Sequence, residues 1–72
     1  MTELVKGATY EHYKGKRYRV IDVVRHSETL EELVLYETLY ENDKGRLWVR
    51  PKGMFIENLA NGTPRFRLLK EV

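Results

Sequence analysis

The sequence predicts an all-β domain, a small sheet or barrel of five to six short antiparallel strands with one 3₁₀ turn. Three observations carry that expectation. Turn signals fall at short, fairly regular intervals: Lys14-Gly15-Lys16, Ser27-Glu28-Thr29, Asn42-Asp43-Lys44-Gly45, Pro51-Lys52-Gly53 and Asn61-Gly62-Thr63-Pro64. The runs between them are rich in β-branched and aromatic residues, which suit the pleated, half-buried surface of a strand. The chain is also short, 72 residues without a cysteine. It reads as one domain over residues 1–72, with residues 1–8 as a candidate flexible N-terminal segment. A chain of this size buries only about 60% of the surface its unfolded form exposes. With no disulfide to staple it, its five tyrosines, two phenylalanines and one tryptophan must carry much of the stability.

The first strand is expected over residues 9–13. The second, over 17–26, is the longest. Tyr18 and Val20 alternate with Arg17 and Arg19, but Ile21, Val23 and Val24 break the phase. A slip inside a long strand signals a bulge or sharp bend. A capping box then competes for the chain: Thr29-Leu30-Glu31-Glu32, followed by Leu33 and Val34 at helical spacing from Leu30. A helix over residues 30–40 would place Glu37 on the apolar stripe and waste a clear alternation. The segment therefore reads as a loop, with at most one helical turn, leading into a strand over 33–40. One face of that strand carries Leu33, Leu35 and Leu39. The other carries Val34, Tyr36, Thr38 and Tyr40.

The run Asn42-Asp43-Lys44-Gly45 fits a type I turn closed by a glycine in the left-handed region. The fourth strand, 47–50, is expected to put Leu47 and Val49 inward and Trp48 and Arg50 outward, and Pro51 ends it. Gly53-Met54-Phe55 fits a single 3₁₀ turn that plugs one end of the core with Met54 and Phe55. Strands over 56–59 and 65–69 complete the chain. In the last, Phe66 and Leu68 face the core while Arg65 and Arg67 face water. Tyr13, Tyr18, Phe55 and Phe66 are the aromatic core candidates.

Thirteen basic against eleven acidic side chains give a net charge of +2. That leans weakly toward polyanions and falls far below the charge density of a dedicated nucleic-acid binder. The basic residues cluster: Lys14, Lys16, Arg17 and Arg19; Lys44, Arg46, Arg50 and Lys52; Arg65, Arg67 and Lys70. Glu28, Glu31 and Glu32 form an acidic group. Met1-Thr2-Glu3-Leu4-Val5-Lys6 has no apolar core of a secretory signal, and no window approaches the roughly 20 apolar residues of a membrane helix. A cytoplasmic location is expected.

Several stretches align with a known family: Tyr10-Glu11-His12-Tyr13-Lys14-Gly15, Arg25-His26-Ser27-Glu28-Thr29, Val34-Leu35-Tyr36 with Leu39-Tyr40, Trp48-Val49-Arg50-Pro51 with Met54-Phe55, and Pro64-Arg65-Phe66. Each is weak alone, but their order and spacing are specific. The chain resembles the DUF1653 family of small bacterial proteins from Thr9 to Leu69. That resemblance implies a small SH3-like β-barrel or roll, in agreement with the periodicity, and implies no activity.

The residues that could carry chemistry are few. His12 and His26 are the groups that titrate near neutrality. No H-x-x-x-H or H-E-x-x-H spacing exists, and a zinc site would have to borrow carboxylates such as Glu11, Asp22 or Glu28. His26-Ser27-Glu28 is not a triad in the making, because triads assemble from distant segments. Glu28 and Thr29 read as groups that fix a loop by bonding backbone amides. The glycines form no phosphate-binding pattern and read as turn residues. No catalytic residue, cofactor or metal is expected, and the chain reads as a non-enzyme.

The aromatic set is the most informative. Tyr36, Tyr40 and Trp48 share a predicted outward phase with Arg50 beside them. Aromatics give large contact area at small entropy cost, and arginine adds a planar donor that stacks or pairs with anions. With Arg25, His26 and Glu28 of the adjoining motif they form the candidate ligand-binding set. The expected role is a binding module for a protein segment. Binding of single-stranded nucleic acid by stacking over the basic clusters ranks second. An enzyme or metal site at His12, His26 and Glu28 ranks third. A monomer, or a weak dimer through an open sheet edge, is expected.

Overall fold

In the computed structural model, which describes residues 4–70, the chain forms five antiparallel strands in one sheet and a single short helix. The strands are β1 (Thr9–His12), β2 (Arg17–Arg25), β3 (Glu32–Thr38), β4 (Leu47–Pro51) and β5 (Phe66–Lys70), and α1 (Lys52–Ile56) lies between the last two. The spatial order is β4-β3-β2-β1-β5. β2, β3 and β4 form a meander, and β1 sits between β2 and the final strand. The sheet stays open, with β4 and β5 at its edges, an arrangement consistent with the expected SH3-like roll.

The slip expected in the second strand is a bulge. Val20 faces Tyr36 and Asp22 faces Leu35, so Ile21 is the extra residue. Before the bulge Val20 is fully buried; after it Val23 faces the fully buried Val34. The bulge thus turns Asp22 outward, where its carboxylate meets Lys6 at 3.0 Å. No helix forms after the capping box. His26 Nδ1 accepts the backbone N–H groups of Glu28 and Thr29, and Thr29 Oγ1 accepts that of Glu31. Leu30 takes a positive φ of 64°, which a continuing helix would not allow.

The inward and outward faces of the central strands are the reverse of the expected ones. Val34, Tyr36 and Thr38 are buried, as are Ala8, Tyr10, Val20, Phe55 and Phe66. Trp48 faces Tyr36 and Arg50 faces Val34 across the ladder, so both lie on the core side of the sheet. Leu47 and Val49, expected inward, are 50% and 52% exposed on the opposite face. The reason is volume. Each aromatic side chain buries roughly 150–250 Å², so a few rings fill so small a core and leave the leucines to coat the outside.

The rings pack edge to face or stacked. Phe55 and Phe66 lie parallel at 4.0 Å, Tyr10 meets Phe55 at 5.5 Å, and Tyr18 meets Tyr36 at 5.2 Å. Phe55, Phe66 and the half-buried Tyr18 are where the sequence placed them, but Tyr13 is 47% exposed, lying against His12 at the surface. Met54 and Leu68 are also exposed rather than core.

Two local elements differ from expectation. The 3₁₀ turn is instead the five-residue helix α1, which starts behind Pro51 and lowers Phe55 onto Phe66. No strand spans 56–59: Ile56 ends the helix, and only Asn58 pairs, with Pro64, as an isolated bridge. Proline has no N–H to extend that ladder. The chain instead closes a turn through Leu59 N–H to the Thr63 carbonyl at 2.7 Å, with Gly62 at a positive φ of 88°. Of the candidate N-terminal segment, residues 1–3 lie outside the described residues. Leu4 and Val5 pack against the core, and the Val5 N–H donates to the Tyr10 hydroxyl at 3.1 Å. No helix among the described residues is long and apolar enough to cross a membrane.

Candidate functional site

At the end of the core face, where β2, β3 and β4 approach the 42–45 turn, the sheet opens into a concavity of about 390 Å³. That lies within the range of about 300–1,000 Å³ typical of ligand pockets. Tyr18, Tyr36, Tyr40, Asn42, Lys44, Trp48 and Arg50 line it.

Each wall has a local cause. Tyr36 and Trp48 are direct cross-strand partners and so share one face. Gly45 sits at a φ of 133°, a backbone region closed to residues with a side chain. That turn aims the Gly45 carbonyl back at the strand, where it accepts the Trp48 indole N–H at 3.0 Å. The indole is thereby held upright and 38% exposed. Asn42 Oδ1 accepts the Lys44 N–H at 2.9 Å, which fixes the turn from inside and leaves the carboxamide NH₂ as a donor. The Tyr18 and Tyr40 hydroxyls bond each other at 3.0 Å. Burial, then this hydrogen bond, pushes the Tyr18 hydroxyl well above its ordinary pKa, so it stays neutral.

The cations complete the picture. The Arg50 guanidinium stands 5.3 Å from the Phe66 ring centroid, and its Nε is buried with no partner among the described residues. Lys16 Nζ lies 4.5 Å from the Tyr40 ring centroid at the rim. His12 borders this region from β1, packed on Phe66 at 4.9 Å. Burial first, then the charges of Arg50, Arg65 and Lys14, hold its imidazole below the usual histidine range. Its Nδ1 accepts the Lys14 N–H at 3.2 Å, which needs the neutral ring.

Four of the sequence-predicted residues thus converge: Tyr36, Tyr40, Trp48 and Arg50. Their outward phase is corrected, since Tyr36 is 6% exposed and forms the floor while Trp48 and Tyr40 form the walls. Arg25, His26 and Glu28 do not join them. They belong to the β2–β3 turn, seven residues along β2 from Tyr18, roughly 23 Å at a strand's rise. Arg25 there donates to the Leu30 carbonyl at 3.1 Å. His12 and His26 sit at opposite ends of β2, and no three His, Asp or Glu side chains gather among the described residues. Sequence reasoning missed Tyr18, Asn42 and Lys44. Tyr18 read as core and Asn42 and Lys44 as turn chemistry; each does that and also lines the wall. The signal was present for Tyr18, since it alternates in phase with Val20 on the strand beside Tyr36.

The geometry suits noncovalent capture of a group with a flat or apolar part and hydrogen-bond acceptors. No curated protein matches this chain. Its fold matches the crystal structure of a DUF1653 protein from Bordetella bronchiseptica, with a TM-score of 0.81 and 30% sequence identity, over 93% of this chain and 90% of that one. The family model described as "Protein of unknown function (DUF1653)" matches residues 8–68, from the buried Ala8 to the final strand. The span takes in every wall of the concavity and the two phenylalanines beneath it, and the chain belongs to the DUF1653 family.

Proposed function

We propose that this protein is a non-enzymatic binding module that takes a segment of another protein into the Tyr36, Tyr40, Trp48 and Arg50 concavity. The carrying observation is that these four side chains meet in one open hollow while Trp48 keeps part of its indole in water. Trp, Tyr and Arg are the residue types that dominate binding hot spots, because they combine contact area with a directed polar group. The module acts as a monomer or weak dimer in the cytoplasm, which gel filtration and cell fractionation test. Captured on beads from its native lysate, the protein should retain a partner that Trp48→Ala loses while its circular dichroism is unchanged. A partner retained by a folded Trp48→Ala protein overturns this reading.

A second reading is single-stranded nucleic acid stacked on the same rings. The placement of Lys16 over Tyr40 favours it, since cations beside aromatic faces serve backbone and base together. Anisotropy with labelled single-stranded RNA and DNA at low and high salt decides it. Absence of binding at low salt removes it.

A further inference from the structure

Among the described residues, most cations are already neutralised by a carboxylate. Glu11 spans Arg17 and Arg67, Glu37 spans Arg19 and Arg46, and Lys6, Lys52 and Arg65 meet Asp22, Glu32 and Glu57. Lys14 and Arg25 apart, the exceptions among the described residues gather at the concavity. Among the described residues, Arg50 and Lys44 on its wall and Lys16 at its rim have no carboxylate within ion-pair distance. No acidic side chain lines the hollow, although Glu41 and Asp43 adjoin its lining residues in sequence. Arg50 is moreover half-buried, over Phe66, with a buried N–H left without an acceptor among the described residues; Arg65 has one too, but its charge is met by Glu57. A charge drawn out of water and left uncompensated is unfavourable, and an incoming anion that binds it recovers that loss.

We infer that the segment taken by the concavity is acidic: a carboxylate docks among Arg50, Lys44 and Lys16 while a neighbouring aromatic or apolar side chain rests on Tyr40 and Trp48. The inference rests on the protein-segment reading above and names its chemistry. The carboxylate comes from an Asp or Glu side chain or from a chain end. A bidentate guanidinium–carboxylate pair suits either source. The pairing of the other cations argues against a polyanion as the main ligand. A nucleic-acid backbone needs a track of free cations, and here Arg17, Arg19, Arg46, Lys52, Arg65 and Arg67 of the clusters that suggested one are held by Glu11, Glu37, Glu32 and Glu57.

Trp48 is the only tryptophan, so its emission reports the wall directly. The protein is titrated with an array of short peptides carrying Asp or Glu beside Tyr, Phe or Leu. A matched array has Asn or Gln in place of the acids, and both are made with free and with amidated C-termini. A mixed-sequence single-stranded oligonucleotide is the third probe. The expected result is a saturable change in emission with acidic peptides, at least ten-fold tighter than with their amide counterparts. Lys44→Gln, an exposed turn change, should weaken it several-fold, whereas Lys52→Gln, which removes an already paired cation, should not. Survival of binding in amidated acidic peptides assigns the carboxylate to a side chain, and its loss assigns it to the chain end. Equal affinity for the amide array overturns the acidic inference and leaves the protein-segment reading standing. Response to the oligonucleotide alone, or to no probe, overturns both.

Discussion

The β2–β3 turn and the concavity carry similar residue types and treat them in opposite ways. At the turn, His26 gives its Nδ1 to two backbone N–H groups, Thr29 gives its hydroxyl to a third, and Arg25 donates to the Leu30 carbonyl. Their polar capacity is consumed in shaping seven residues of chain. In the concavity, Arg50 keeps a buried N–H unpartnered, and Lys44 lines the same hollow with no carboxylate within ion-pair distance among the described residues. Residue type therefore does not separate a loop from a site. What separates them is whether hydrogen-bonding capacity is left over after the fold has taken its share.

The contrast can be broken most forcefully from below. Phe55 is buried and stacked on Phe66, the ring on which Arg50 stands. Phe55→Ala should destabilise the protein by about 3–5 kcal/mol, a large fraction of a small domain's total stability. Thermal melts followed by circular dichroism check this, and a melt equal to the parent's would mean that the floor does not hold the walls. At the turn, His26→Ala removes one acceptor shared by two N–H groups in an exposed loop. It should cost about 1 kcal/mol, lower the melting midpoint by about 4–8 °C, and leave the Trp48 emission unchanged. A shifted Trp48 emission would show that the two regions are not independent.

The smallest effect lies beside the concavity. The folded state holds His12 below its ordinary pKa, so near neutrality the unfolded chain binds more protons than the native one. Stability from this group is complete above about pH 6.5 and falls as the pH drops below it. The urea midpoint should decline from pH 7.5 to pH 5, and less steeply in His12→Gln. Below that window the Glu11 and Asp22 carboxylates, held below their usual range chiefly by hydrogen bonds to Arg67 and Lys6, add a separate acid loss. An identical slope in parent and variant would remove His12 from the account.

The turns, the first four strands along the chain and the bulge were legible because each is written locally, in Gly and Asn placement or in alternation and its break. The face assignment was not. Alternation says which residues share a side of β3, but not which side is the core. Hydrophobicity chose Leu33 and Leu35, whereas the packed rings chose Tyr36. The chain 52–59 misled for a related reason, since Phe55 had to reach Phe66 and only a helical turn delivered it. The grouping of Tyr36, Tyr40, Trp48 and Arg50 survived the inversion because they share a face whichever way it points. Arg25, His26 and Glu28 fell away because sequence spacing does not show that the β2–β3 turn lies outside the hollow.

The bulge at Ile21 also sets how the reading frame of this protein tolerates error. Along β2 the buried side of the strand is even-numbered through Val20 and odd-numbered from Val23. One inserted residue switches the parity, and everything downstream inherits the switch. Most codon changes at Ile21 exchange one exposed side chain for another. Loss of that codon removes the extra residue and leaves a plain alternation, in which Val20 still faces Tyr36, Asp22 still turns outward beside Lys6 and Val23 still faces Val34. At this position the strand can lose a residue without changing which side chains face the core.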